Sequence, residues 1–172
     1  MDAMDPDENP NHDALIKRLG LSKSQLSQAA NFTNSKYPNI ELDFEVEDPN
    51  EITAGAPAYI RVKINREVDE DDESSDVDTT VHAPFYPVKN KMENWWLVVG
   101  EESSKTLLAI KRITIGKTLN LRLEYTVPTP GEHELKLFLM SDSYVGVDQD
   151  PSFTVTVAEG MDEDEEDEED EE

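Results

Sequence analysis

The chain contains no cysteine. Disulfides, thiol nucleophiles and zinc–thiolate centres are therefore excluded, and the composition suits a reducing compartment. No apolar run approaches the roughly 18 residues of a membrane-spanning helix, so no membrane partner is expected. The N-terminus is acidic and polar, unlike a secretory signal. Histidine is scarce. His12, His82 and His133 fall in an expected first helical turn, a strand edge and a turn, and none has a second histidine at ligand spacing, so no metal is expected. The seven glycines form neither GxGxxG nor GxxxxGKS, and no GxSxG elbow occurs. Ser74, Ser75 and Ser103 stand near acids but lack a base to activate them. No catalytic residue and no cofactor is expected.

Positive charge is also in short supply: 15 lysines and arginines face 40 acids among 172 residues, for a net charge of -25. Residues 67–78, EVDEDDESSDVD, hold eight acids, residues 161–172 hold eleven, and the first thirteen hold five. Setting those 24 aside leaves 16 acids against 15 bases, the balance of an ordinary globular domain. The acidic runs repel themselves and have nothing to bury, so they are expected to be disordered. Binding nucleic acid by counterion release is disfavoured in such a chain. Lys111 and Arg112 are candidates for a local basic patch, but no basic run supports one.

The first elements read as helical. HDALIKRL, residues 12–19, places Leu15 and Leu19 on one face, with Gly20 as its stop. Ser22 and Gln25 have capping-box spacing, and Leu21 and Leu26 stand where a hydrophobic staple closes. A second helix is expected from about Lys23 to Asn34, ended by Tyr37–Pro38. Helices this short need tertiary packing or a partner.

After Pro38 the apolar period becomes two. NIELDFEV directs Ile40, Leu42, Phe44 and Val46 inward, and YIRVKIN does the same with Ile60, Val62 and Ile64. TTVHAPFYP, NWWLVVG, TLLAIKRITI, LNLRLEYTV, ELKLFLM and SFTVTV continue the series, with PTPGEH as a turn. LNLRLEYTV puts Leu119, Leu121, Leu123, Tyr125 and Val127 on one face. Seven or eight short strands without intervening helices predict a mainly β chain, an immunoglobulin/fibronectin-type antiparallel β-sandwich, over the rival closed barrel. The expected layout is an acidic N-terminus over 1–11, a helix–loop–helix over 12–37, the sandwich over 38–160 and an acidic tail over 161–172.

Three strands are apolar on both faces. Trp95, Leu97 and Val99 alternate with Trp96 and Val98; Leu108 and Ile110 oppose Leu107, Ala109 and Ile113; Phe138 and Met140 oppose Leu135, Leu137 and Leu139. A sandwich buries one face of each sheet. The surplus set, Trp96, Val98, Leu108, Ile110, Phe138 and Met140, is the candidate interface, to be covered by the helical pair or by a partner surface.

DSYVGVDQD invites a metal or catalytic reading. An EF-hand loop needs D-x-D/N-x-D/N-G, whereas Asp142 is followed here by Tyr144 and Gly146 at the ligand positions. Sandwich loops can hold calcium through clustered aspartates, but a strand-connecting loop offers no cleft for acid–base chemistry. The simpler expectation is that Ser141 and Asp142 leave a strand, Tyr144 packs back, Gly146 permits a bend, and Asp148 is an ordinary loop acid.

YPNIELDFEV, NWWLVVGEESSKTLLAIKRITI and LFLMSDSYVGVDQDPSFTVTV together resemble the C-terminal end of a unit shared by the endoplasmic-reticulum translocation J-protein of the Sec complex and large superfamily-two RNA helicases. There a helix–loop–helix, matched by residues 12–36, precedes a fibronectin-like sandwich, matched by residues 39–158. The tandem Trp95–Trp96 makes the chain most similar to the spliceosomal branch, whose helicases unwind U4/U6 in the U5 particle. The resemblance implies a nuclear location and, as partners, the remainder of the helicase cassette and spliceosomal proteins. Motor, Walker, winged-helix, ratchet and J-domain motifs are absent from these residues, so the chain is expected to be a C-terminal fragment or truncated product. It should not hydrolyse ATP by itself, and should be a monomer in isolation.

Two other readings stay open. The LGLS turn resembles a helix–hairpin–helix, where Lys17, Arg18 and Lys23 could reach phosphates, although the charge argues against direct RNA contact. J-protein kinship would instead have the acidic tail dock a basic segment of a membrane partner. Ser75, with acids at +1 and +3, is a candidate phosphorylation site.

Overall fold

A computed structural model describes residues 18–68, 77–83 and 85–160. The chain divides after Tyr37 into two units. His12, Leu15 and Lys17 in the first, the greater part of the acidic loop with Ser74 and Ser75, and the tail from Met161 lie outside the described residues.

In the first unit, Arg18 and Leu19 end a helical segment and Gly20 follows at φ +65°, the left-handed conformation that stops a helix at little steric cost to glycine. Helix α1 runs Lys23–Ser35. Its capping box is formed: the Gln25 N–H donates to Ser22 Oγ at 3.3 Å, and the Ser22 N–H donates to Gln25 Oε1 at 2.9 Å. The Lys36 and Tyr37 N–H groups both close on the Phe32 carbonyl, and the chain leaves at Pro38.

The second unit is an immunoglobulin-like β-sandwich. Its strands are β1 (Ile40–Val46), β2 (Ile52–Thr53), β3 (Pro57–Arg66), β4 (Trp95–Glu101), β5 (Thr106–Ile113), β6 (Thr118–Thr126), β7 (Gly131–Ser141) and β8 (Ser152–Ala158). One sheet has the order β1-β3-β6 and the other β2-β8-β7-β4-β5. Every pairing is antiparallel except the short contact of β2 with β8. TTVHAPFYP does not form a strand; it contributes an isolated bridge, Thr80 with Met92. Its two prolines each remove a ladder donor. The strand that the sequence did not signal is β2, Ile52–Thr53, too short to show a period. PTPGEH is a turn only in part, because β7 begins at Gly131 and carries His133 opposite Val155.

Alternation builds the core. Ile60, Ile64, Trp95, Leu97, Val99, Leu135, Leu137 and Leu139 are fully buried between the sheets, and each large apolar side chain so buried contributes roughly 1.5–3 kcal/mol. The Phe153 ring packs on Phe44 at 5.7 Å and edge-on to Tyr125 at 6.3 Å. Tyr125 brings a hydroxyl into this core with no hydrogen-bond partner among the described residues, and burial pushes its pKa up to about 12. Because an unpaired buried hydroxyl costs free energy, Tyr125→Phe is expected to stabilise the sandwich by roughly 1 kcal/mol. Urea denaturation of both proteins checks this.

The core also holds an ion pair. Arg66 continues the inward parity of Ile60, Val62 and Ile64 and reaches Glu93 just ahead of β4. Both side chains are at most 6 % exposed. The guanidinium also donates to the Ile115 carbonyl at 3.3 Å and the Gly116 carbonyl at 3.4 Å. Trp95 Nε1 donates to Glu93 Oε1 at 3.3 Å. The network thus links β3 of one sheet to β4 of the other.

Near the other end of β4, His133 Nδ1 lies 2.8 Å from Glu101 Oε1 and its Nε2 lies 2.9 Å from the Thr129 carbonyl. Two acceptors require two N–H donors, so this geometry favours imidazolium. The hydrogen bond to Glu101 raises the His133 pKa above its ordinary 6.5, against the effect of burial. A folded-state pKa raised in this way gives stability that is complete below the unfolded value and is lost as pH rises through the folded one. Glu101→Gln is expected to lower the His133 pKa and flatten stability above pH 6.5. An NMR titration of the ring protons with denaturation at several pH values reads both.

Candidate docking face

The outer face of the five-stranded sheet is set by the same alternation that fills the core. Leu97 and Val99 point inward, and Trp96 and Val98 point outward. Register aligns two rows across three strands: Ile110, Val98 and Phe138, then Arg112, Trp96 and Met140. Ile110 on the edge strand is 56 % exposed and Trp96 36 %, Phe138 and Met140 are half-buried, and Val98 is buried. The Arg112 guanidinium stands 5.5 Å from the Trp96 ring.

Leu108 does not join these rows. The pairing shifts between Val99 and Gly100, so Leu107 lies opposite Gly100 and Leu108 is the extra residue of a bulge. Leu107, 58 % exposed, therefore falls on the parity first read for Leu108. Gly100 suits the close approach here, since a Cβ would lie 3.2 Å from the Thr106 carbonyl and would press on it.

The aspartate loop borders this face. Asp142 accepts from Lys91 Nζ and from the Asn94 N–H, each at 3.0 Å, and from Arg112 at 3.3 Å. Burial opposes ionisation of its carboxyl, but hydrogen bonds from Ser143, the Asn94 N–H and Lys91 outweigh it and hold the pKa below the ordinary value. Asp148 caps the Ser141 N–H at 2.8 Å, Asp150 meets Lys136 at 3.2 Å, and Gly146 turns the chain at φ +87°. Each aspartate has a structural task, and no metal-ligating group of three is present among the described residues.

Further exposed apolar residues, marked by no strand period, occur within this loop and in residues 85–92. Phe85 is 98 % exposed and Val145 93 %, with Tyr86, Val88 and Met92 also exposed. Lys91 ties the two loops together: it bonds Asp142 and Ser143 and stands 5.9 Å from the Tyr86 ring. The signal was in the letters, since APFYPVKNKM places large apolar residues among turn-formers without a strand period.

The outer face of the three-stranded sheet is different in kind. Glu47 accepts from Arg61 at 2.7 Å and Arg122 at 2.6 Å, and Arg122 stacks 3.4 Å above Tyr59. The Arg122 hydrogen bond leads the effects that lower the Glu47 pKa, against burial. There Glu47 holds both arginines, whereas the five-stranded sheet leaves apolar area open.

The family profile described as the Sec63 Brl domain matches residues 8–154. The chain belongs to the Sec63 Brl domain family. Among relatives of this Sec63 Brl chain, the pre-mRNA-splicing factor brr2 of Schizosaccharomyces pombe is 44 % identical over 144 residues, covering 84 % of this chain and 6 % of that protein. The human U5 small nuclear ribonucleoprotein 200 kDa helicase is 39 % identical over 141 residues, covering 82 % and 6 %. The Arabidopsis thaliana DExH-box ATP-dependent RNA helicase DExH13 is 43 % identical over 140 residues, covering 81 % and 6 %. The chain thus spans about 6 % of the length of these relatives. Among solved structures, a CARDB domain from Pyrococcus furiosus superposes with a TM-score of 0.43 at 10 % identity, covering 73 % of this chain and 92 % of that one.

Proposed function

We infer that the chain is a non-catalytic protein-interaction module of a large splicing helicase. It docks through the outer face of its five-stranded sheet onto the remainder of the helicase or onto spliceosomal proteins. The observation that carries the reading is the open apolar set of Trp96 and Ile110 on a sheet whose other face already fills the core. Aromatic side chains at the centre of a desolvated patch are the usual anchors of such contacts. The names of the relatives support the splicing context, and a nuclear location follows from it. On this reading residues 12–37 are a helix–loop–helix, residues 38–160 the sandwich, and the isolated chain is a monomer.

The experiment is a segment exchange. The matching part of the fission-yeast relative is replaced by this chain, and intron retention is measured in cells. Support of splicing by the wild-type exchange and its loss with Trp96→Ala/Ile110→Ala, at unchanged protein abundance, agrees with the reading. Splicing that is indifferent to the double substitution opposes it.

A further inference from the structure

The five-stranded sheet ends at β5, which pairs with β4 on one side and with no other strand among the described residues. An unpaired edge presents a row of backbone donors and acceptors to any extended chain that can approach it. The other end of this sheet is β2, only two residues long. At β1, an edge of the second sheet, Glu41, Asp43 and Glu45 project outward, a row that repels an acidic strand. The eight residues of β5 carry no acid.

The charge around β5 runs against that of the molecule. Residues 103–123 contain five lysines and arginines and no acid, in a chain of net charge -25. Arg112 and Arg122 are held by Asp142 and Glu47. Lys105, Lys111 and Lys117 are exposed and make no ion pair among the described residues. Lys111 lies opposite Leu97, on the parity that faces the core elsewhere in the sheet. A charge at such a position on an edge strand keeps a second copy of the same edge away, because like charges would meet. The same charge attracts a strand of opposite sign. Leu107 and Ile110, both more than half exposed, offer apolar contacts between the cations.

We propose that the outer edge of β5 is a strand-addition site for an extended segment of a partner protein that alternates apolar and acidic residues. Main-chain hydrogen bonds to Thr106–Ile113 supply affinity. Leu107 and Ile110 take the apolar side chains, and Lys105 and Lys111 take the carboxylates. This edge borders the sheet face inferred above and shares Ile110 with it, but Trp96 belongs to the face alone and Lys105 and Lys111 to the edge alone, so the Trp96 and lysine variants tell the two apart.

The test uses the full 172-residue chain, with acetylated and amidated heptapeptides as probes. EVEVEVE is titrated against ¹⁵N-labelled protein, alongside KVKVKVK, EEEEEEE and a uridine heptanucleotide. EVEVEVE is expected to shift the Thr106–Ile113 amides and slow their hydrogen exchange, and to bind less tightly as salt rises. Lys105→Glu/Lys111→Glu should weaken it by about tenfold, and Trp96→Ala should leave it nearly unchanged. Because both lysines are exposed, near-native stability is expected. Lys105→Gln/Lys111→Gln gives a second reading should the charge reversal disturb folding. Three results would each overturn the proposal: equal binding of EEEEEEE, which would mean charge attraction alone; preference for the uridine oligomer, which would mean a nucleic-acid surface; and no perturbation of β5 by EVEVEVE.

Discussion

Glu93→Ala is expected to cost about 3–5 kcal/mol, because it leaves the Arg66 guanidinium buried without its counter-charge. Burial already pushes the Arg66 pKa below its ordinary value, but a guanidinium in a protein does not shed its proton to relieve this. The loss is comparable with the whole stability of a small domain. The informative companion is Glu93→Leu/Arg66→Met. Replacing both partners removes the stranded charge, and buried pairs so replaced are often neutral or better. Recovery here should be partial, since the Ile115 and Gly116 carbonyls and Trp95 Nε1 would each lose a partner. Urea midpoints for the singles and the double give the coupling directly. An additive double mutant would mean that Arg66 and Glu93 act separately.

The second large effect separates neighbouring tryptophans. Trp95 is fully buried and bonded to Glu93, so Trp95→Ala should cost about 3–5 kcal/mol. Trp96 points the other way and is 36 % exposed, so Trp96→Ala should cost about 1 kcal/mol or less in the isolated chain. One residue of displacement along a strand reverses the role of the same side chain. Differential scanning calorimetry of the two variants reads the contrast. Equal losses would mean that Trp96 lies in a second covered core.

That contrast was legible in the letters, because alternation over WWLVV assigns opposite faces whatever the partner strands are. The same parity carried through β3 also places Arg66 inward, and a charged residue at an inward position demands a buried partner. Glu93 itself could not be named in advance, since it lies 27 residues away across an acidic loop. Leu107 stands where Leu108 was expected because a bulge adds a residue to β5, and periodicity carries no signal for an insertion that depends on pairing with β4. His133 was read as part of a turn from the Pro and Gly before it. The strand starts at Gly131 because pairing with β8 extends that far. The capping box and the Gly20 stop were readable because both are local. The aspartates of residues 142–150 looked chemical only while their donors were unknown. Lys91, Asn94 and Arg112 are distant in sequence, and folding delivers them to Asp142.

The most direct measurement of docking is a binding isotherm between this chain and the fission-yeast relative from which the matching segment has been removed. Micromolar or tighter binding is expected for the wild type. Trp96→Ala/Ile110→Ala should lose about 2 kcal/mol, roughly thirtyfold in affinity, while remaining folded. Wild-type and double-substituted chains binding equally, or neither binding, would contradict a docking role for the outer face of the five-stranded sheet.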